Sequence, residues 1–266
     1  MLAGKNRIGL FDSGLGGLSV LKTIWLETAG SHFIYYADLD NGPYGKLTKE
    51  SVLEISIKSF EFLLEKQVDA VLFACNSATS AAAEFLRQNH SIPIFGMEPA
   101  VKPATLENPG KPIAVFATEL TLKEEKFKNL IDQLDSHNTY LPVPCEGLAR
   151  LIDLGEWDKA WEFLDPLLKG VIEQTNIFVL GCTHYVFLKD KILAHYPNAK
   201  IYDGNFGTAL HMKKILNLNG TEGNTLDIIL NSCNSHYISV TEDIVSKFSN
   251  SFSISVNHQL GNSSHV

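Results

Sequence analysis

Arginine is nearly absent from this 266-residue chain: Arg7, Arg87 and Arg150 are its whole complement. Surfaces that hold polyanions rely on arginine's planar fork, and the formal charge of −8 points the same way. Nucleic acid and anionic membrane are therefore excluded as main partners. No stretch approaches the roughly 20 apolar residues of a membrane span. Residues 1–11 hold a short apolar strand but no signal-peptide core, so the expected compartment is the cytoplasm. There the four cysteines, Cys75, Cys145, Cys182 and Cys233, are expected as reduced thiols. No Cys-x-x-Cys pair occurs, which argues against a structural zinc site. The segment Gly14-Leu15-Gly16-Gly17 lacks the last glycine of a dinucleotide fingerprint, since Ser19 stands there. Asp12, just ahead of it, would also repel a pyrophosphate.

What the chain does have is an ordinary globular composition, 45% apolar and 20% charged, and a repeated strand–helix alternation. Strands are predicted at 8–11, 33–37, 70–74, 92–95, 113–116, near Tyr140, and at 177–180, 200–202, 227–230 and 253–256. Helices are predicted at 18–27, 51–66, 80–88, 122–133, 147–153, 157–173, 186–195, 207–216 and 241–248. Such alternation implies mostly parallel sheets. Ile8-Gly9-Leu10-Phe11 reappears as Ile113-Ala114-Val115-Phe116, an offset of 105, and Cys75 reappears as Cys182, an offset of 107. The chain therefore reads as two related α/β units, with a proline-rich seam at 97–112 and a tail that returns to the first unit. The expected domains are 1–97 plus 206–266, and 98–205. The polar end at 262–265 is expected to be disordered.

Val71-Leu72-Phe73-Ala74-Cys75-Asn76-Ser77 and Phe178-Val179-Leu180-Gly181-Cys182-Thr183-His184 are the two most informative segments. Each is a buried strand that runs through a small residue into a thiol, at the sheet edge where α/β proteins bind ligands. Asn76 and Ser77 place donors and a helix N-terminus beside Cys75, which is expected to lower its thiol pKa. His184, two residues from Cys182, can hold that thiol as thiolate or reprotonate it. A catalytic zinc on Cys75, Cys182 and His184 is the rival use of the same residues, disfavoured by spacing. Positive φ is the expected reason for the glycines at 14–17. Asp12 is then an unexplained acid at the mouth of the sheet, able to orient a base or accept from an ammonium. Cys145 and Cys233 lack such neighbours and are expected to be structural.

Phe-Asp-Ser-Gly-x-Gly-Gly at 11–17, Pro-Tyr-Gly at 43–45, Cys-Asn-Ser at 75–77 and Gly-Cys-Thr-His-Tyr at 181–185 together resemble the motif set of the glutamate racemases. These belong to the cofactor-independent aspartate/glutamate racemase superfamily. The resemblance implies two pseudo-symmetric α/β domains with the active site between them, and no cofactor or metal. It implies a two-base mechanism in which Cys75 serves the D-enantiomer and Cys182 the L-enantiomer, assisted by Asp12 and His184 respectively. It also places Asp153 at the family's acidic position near the second cysteine, where glutamate is usual. With arginine so scarce, Asp12, Ser13, Tyr44, Gly45, Asn76, Ser77, Thr118, Thr183 and His184 are the expected substrate contacts. Backbone N–H groups of Tyr44 and Gly45 are counted among them. The implied role is D-glutamate supply for peptidoglycan synthesis and cell shape, by a cytoplasmic homodimer. A racemase of aspartate or another small acid, and a non-catalytic regulatory relative, are the alternatives. The sequence departs from the family pattern at Ser77, Asp153, Val186, Asp203-Gly204-Asn205, and in lacking an arginine before Pro43.

Overall fold

The computed structural model describes residues 6–134 and 137–257. The polar end at 262–265 lies outside them. In chain order the elements are β1 Asn6–Asp12, α1 Gly17–Glu27, β2 Ser31–Ala37, α2 Lys49–Glu65, β3 Ala70–Phe73, α3 Asn76–Asn89 and β4 Ile94–Gly96. Next come α4 Val101–Glu107, β5 Ile113–Ala117, α5 Glu119–Lys123, α6 Glu125–Asp132, β6 Tyr140–Pro144, α7 Leu148–Asp153, α8 Trp157–Ile172 and β7 Ile177–Leu180. A 3₁₀ turn at Thr183–Leu188 leads into α9 Lys189–His195. β8 Lys200–Tyr202, α10 Asn205–Leu216, β9 Thr225–Leu230, α11 Ser235–Val245 and β10 Phe252–Val256 follow.

Two sheets result, one of six strands in the order β10-β9-β2-β1-β3-β4 and one of four in the order β6-β5-β7-β8. Every strand pair is parallel. β3 and β7 are buried along their whole length, as unbroken apolar strands must be when helices cover both faces of a sheet. The six-stranded sheet packs one face on α1, α10 and α11 and the other on α2 and α3. The four-stranded sheet packs α7 and α8 on one face and α4 and α6 on the other.

The differences from expectation are local. The seam at 97–112 contains helix α4, because Pro103 sits in its first turn, where a proline costs no hydrogen bond. The helix expected at 122–133 begins at Glu119 and is split in two at Glu124, whose extended backbone (φ −63°, ψ 137°) interrupts it. The helix expected from Thr241 starts at Ser235, where Asn234 caps it by accepting from the His236 N–H. α3 starts four residues before its expected beginning, so Cys75 itself is the N-cap residue.

The two units meet through polar contacts of the segments that follow the carboxyl ends of β1 and β7. Ser19 Oγ donates to the Thr183 carbonyl at 2.9 Å, and the Leu15 N–H donates to Asp153 Oδ1 at 2.8 Å. On the flank, Tyr237 of α11 bonds Arg150 of α7, and His236 bonds the Leu154 carbonyl.

Candidate active site

The carboxyl ends of β1, β3, β5 and β7 converge on one small cavity. Ser13, Pro43, Tyr44, Gly45, Cys75, Asn76, Ser77, Thr118, Thr121, Ala149, Gly181, Cys182, Thr183 and His184 line it. Both cysteines reach it because each stands one small residue beyond its strand, at the junction with a helical turn. The cavity measures about 20 Å³, room for about one water.

On one wall, three side chains form a chain of hydrogen bonds. Cys182 Sγ lies 3.6 Å from His184 Nδ1, and His184 Nε2 lies 2.8 Å from Asp153 Oδ1. His184 and Asp153 are 2% and 1% exposed, so their pairing is shielded from solvent. Burial acts against the imidazolium, but the Asp153 charge and hydrogen bond, with Cys182 on the other side, hold the His184 pKa well above its usual value. A protonated His184 donates from Nε2 to Asp153 and from Nδ1 to Cys182. The Gly16 N–H lies 3.2 Å from the same Nε2 and can donate there only when that nitrogen is unprotonated.

The opposite wall differs. Burial pushes the Cys75 thiol up to about 12, and the nearby Asp12 charge adds to the effect. The Ser13 hydroxyl and the Ala78 N–H at the start of α3 oppose it without prevailing. The expected lowering by the helix N-terminus is thus corrected: desolvation outweighs two donors, and Cys75 is a neutral thiol here. Asp12 is itself pushed up to about 6 by burial, against the pull of His184. Its carboxylate accepts from the Gly14 N–H at 2.9 Å and from Thr183 Oγ1 at 3.3 Å. It therefore sits between the two cysteine systems rather than behind Cys75 alone.

The glycines of 14–17 have a different explanation from the expected one, since none of them has positive φ. They are needed for close approach. A Cβ on Gly14 would lie 2.6 Å from Asp153 Oδ2, and one on Gly16 would overlap the His184 ring. On Gly17 it would lie 2.8 Å from Asp12 Cβ. The motif is a bare stretch of backbone on which the relay is seated.

Of the expected substrate contacts, Ser13, Tyr44, Gly45, Asn76, Ser77, Thr118, Thr183 and His184 all line the cavity. The Tyr44 hydroxyl is already committed to Asp38, which also accepts from Asn41 and Asn231. Only the tyrosine's ring and backbone remain for a ligand. Asn76 Oδ1 is buried and unpartnered among the described residues, which marks it as an acceptor held for something else. Thr121 was not singled out by its sequence context. Its Oγ1 lies 3.0 Å from Thr118 Oγ1 and 3.5 Å from Ser77 Oγ, completing a row of hydroxyls. The readable signal was Thr118-x-x-Thr121, in which Thr118 caps α5 by accepting from the Thr121 N–H.

Cavity and fold can be set beside known proteins. The Asp/Glu/Hydantoin racemase family model matches residues 32–209. A glutamate racemase of Leptospira interrogans serogroup Icterohaemorrhagiae serovar Lai is 47% identical over 248 residues, covering 90% of this chain and 97% of its own. One from Clostridium perfringens strain ATCC 13124 is 42% identical over 220 residues, covering 81% and 85%. Among solved structures, the Thermus thermophilus glutamate racemase in complex with β-chloro-D-alanine superposes with a TM-score of 0.79 at 27% identity, covering 97% and 99%. Two facing cysteines at matched strand ends, an all-parallel two-sheet frame and this extent of identity lead to one placement: the chain belongs to the Asp/Glu/Hydantoin racemase family.

Proposed function

We propose that this protein interconverts L- and D-glutamate by proton transfer at Cα between Cys182 and Cys75, without a cofactor. The observation that carries the reading is the unequal pair of thiols on one cavity. Cys182 is held against a buried imidazolium, while Cys75 keeps its proton. From L-glutamate, Cys182 acts as the base, with His184 beside it, and the Cys75 thiol delivers a proton to the other face. D-glutamate needs the reverse protonation, with Cys75 as base and Cys182 as acid. The row Ser77, Thr118 and Thr121, with Ser13, Asn76, Thr183 and backbone N–H groups, would hold the carboxylates and the charge that develops on them.

An amino acid of this size occupies several times the volume of the closed cavity. We therefore propose that the units 1–97 plus 206–266 and 98–205 separate to admit it and shut again around it. D-glutamate supply for peptidoglycan is the role this activity would serve, in the cytoplasm and as a homodimer.

Incubation with each enantiomer in D₂O tests the reading. Deuterium at Cα and convergence on a racemate are expected from either side with nothing added. No exchange with either glutamate enantiomer would turn attention to aspartate.

The pH profile gives a second test. Asp12 holds a proton up to about pH 6, whereas His184 stays protonated well beyond and free glutamate has no group near that value. As pH falls through about 6, Asp12 loses the charge that accepts from Gly14 and Thr183 and that favours the imidazolium. The value of kcat/KM should therefore fall on the acid side for both enantiomers. Asp12→Asn should remove this limb at a lower overall rate, and a limb that persists in the variant would assign it elsewhere.

A further inference from the structure

Beside the catalytic cavity lies a second one of about 440 Å³, and Asn76 and Thr121 line both. Its described lining carries three carboxylates, Glu98, Glu124 and Glu125, and one basic residue, Lys49. Lys49 is the first residue of α2, where the helix dipole favours an acid, so helix stability does not account for a lysine there. Its Nζ reaches 3.2 Å to Glu124 Oε2, across from the six-stranded unit to the four-stranded one. Glu124 is the residue at which the helix breaks between α5 and α6, and its side chain is only 8% exposed, against 52% for the lysine. The open lysine can turn toward a second anion at little cost, whereas Glu124 is too buried to be left without its cation, so the pair can be shared but not broken.

Two buried oxygens in the same wall, Asn76 Oδ1 and Ser80 Oγ, have no partner among the described residues. The catalytic cavity offers hydroxyls, amides and one histidine, but no lysine or arginine among its described lining. An anionic amino acid approaching a chain of net charge −8 by this route meets its last described lysine or arginine at Lys49.

We propose that this antechamber is a docking site for the free amino dicarboxylate on its way to the thiols. Lys49 takes a substrate carboxylate while keeping Glu124 within reach, and the substrate ammonium donates to Asn76 Oδ1 and Ser80 Oγ. The site rests on the racemase reading above and supplies the positive charge that the hydroxyl-lined cavity lacks.

Racemisation by the full chain from each glutamate enantiomer, with K49M, K49R and E124Q across a range of ionic strength, tests it. K49M should slow capture of both enantiomers and so raise KM about tenfold, capture being the step that limits kcat/KM, with kcat within about twofold because the contact is released before the chemistry. K49R should keep most of the affinity, and E124Q, which frees the lysine, should lower KM about threefold. The gap between K49M and the unaltered chain should narrow as salt screens the charge. An unchanged KM in K49M overturns the proposal. So does a fall in kcat alone, which would make the pair a strut between the units. Turnover that persists with unaltered KM counts against the docking site only, whereas absence of racemisation in the unaltered chain counts against the function itself.

Discussion

Cys75→Ser and Cys182→Ser are each expected to lower racemisation by about 10³–10⁴-fold in both directions. A serine hydroxyl keeps nearly the shape of the thiol but is far weaker as acid and as base at neutral pH. Because the two enantiomers have equal free energy, kcat/KM must fall equally for both, so rates alone cannot say which thiol serves which face. Isotope uptake can. In Cys75→Ser, Cys182 still removes the Cα proton of L-glutamate and returns a solvent deuteron to the same face, so L-glutamate gains deuterium without inverting. In Cys182→Ser the same should hold for D-glutamate alone. Deuterium entering both enantiomers in either variant, or turnover unchanged in either, would end the two-thiol mechanism. Folding should survive both changes, since neither thiol carries a packing role that a hydroxyl of similar size abolishes.

Asp153→Asn is expected to reduce kcat/KM by about 10²–10³-fold and to move the alkaline limb of the profile to lower pH. The carboxylate is what keeps a proton on fully buried His184. Without it, burial returns the imidazole to its neutral form, and Cys182 loses its cationic partner. The imidazolium then survives only at lower pH, so activity that needs it is lost earlier as the pH rises. Stability should change little by comparison, because the histidine sheds its charge rather than remaining buried and unpaired. Asp153→Glu keeps the charge, but the carboxylate is seated tightly on Gly14, so the longer side chain must shift and recovery should be partial. A pH profile for Asp153→Asn that merely scales down, with no displacement, would show that the acid positions the ring and does not set its protonation.

Much of this site could be read from the letters because its parts are local. Each cysteine stands one small residue beyond a buried apolar strand, and His184 is fixed two residues from Cys182. The strands and the repeat were legible for the same reason: parallel strands covered on both faces leave unbroken apolar runs. What stayed hidden depends on approach between distant segments. The glycines at 14–17 are explained by His184 and Asp153, which lie more than 130 residues further along the chain. Cys75 has the right neighbours for a lowered pKa, but its burial, which no motif encodes, reverses the direction. The break at Glu124 was concealed inside one apparently continuous helix, and Thr121 lay just ahead of that helix's expected start. α4 was masked by prolines that mark a loop in the interior of a helix but are tolerated in its first turn.

The matched strand orders carry a further consequence. The run β2-β1-β3-β4 in one sheet and β6-β5-β7-β8 in the other are the same path traced twice. On the offsets of the repeat, Ser13 corresponds to Thr118 and Cys75 to Cys182. The repeated path thus brings a thiol and a hydroxyl from each sheet to one cavity. Mirror-image substrates ask for nearly that symmetry. Where the copies have diverged, with Ser77 in one and His184 in the other, and Asp12 in one and Ala117 in the other, the two sides of the cavity become unequal.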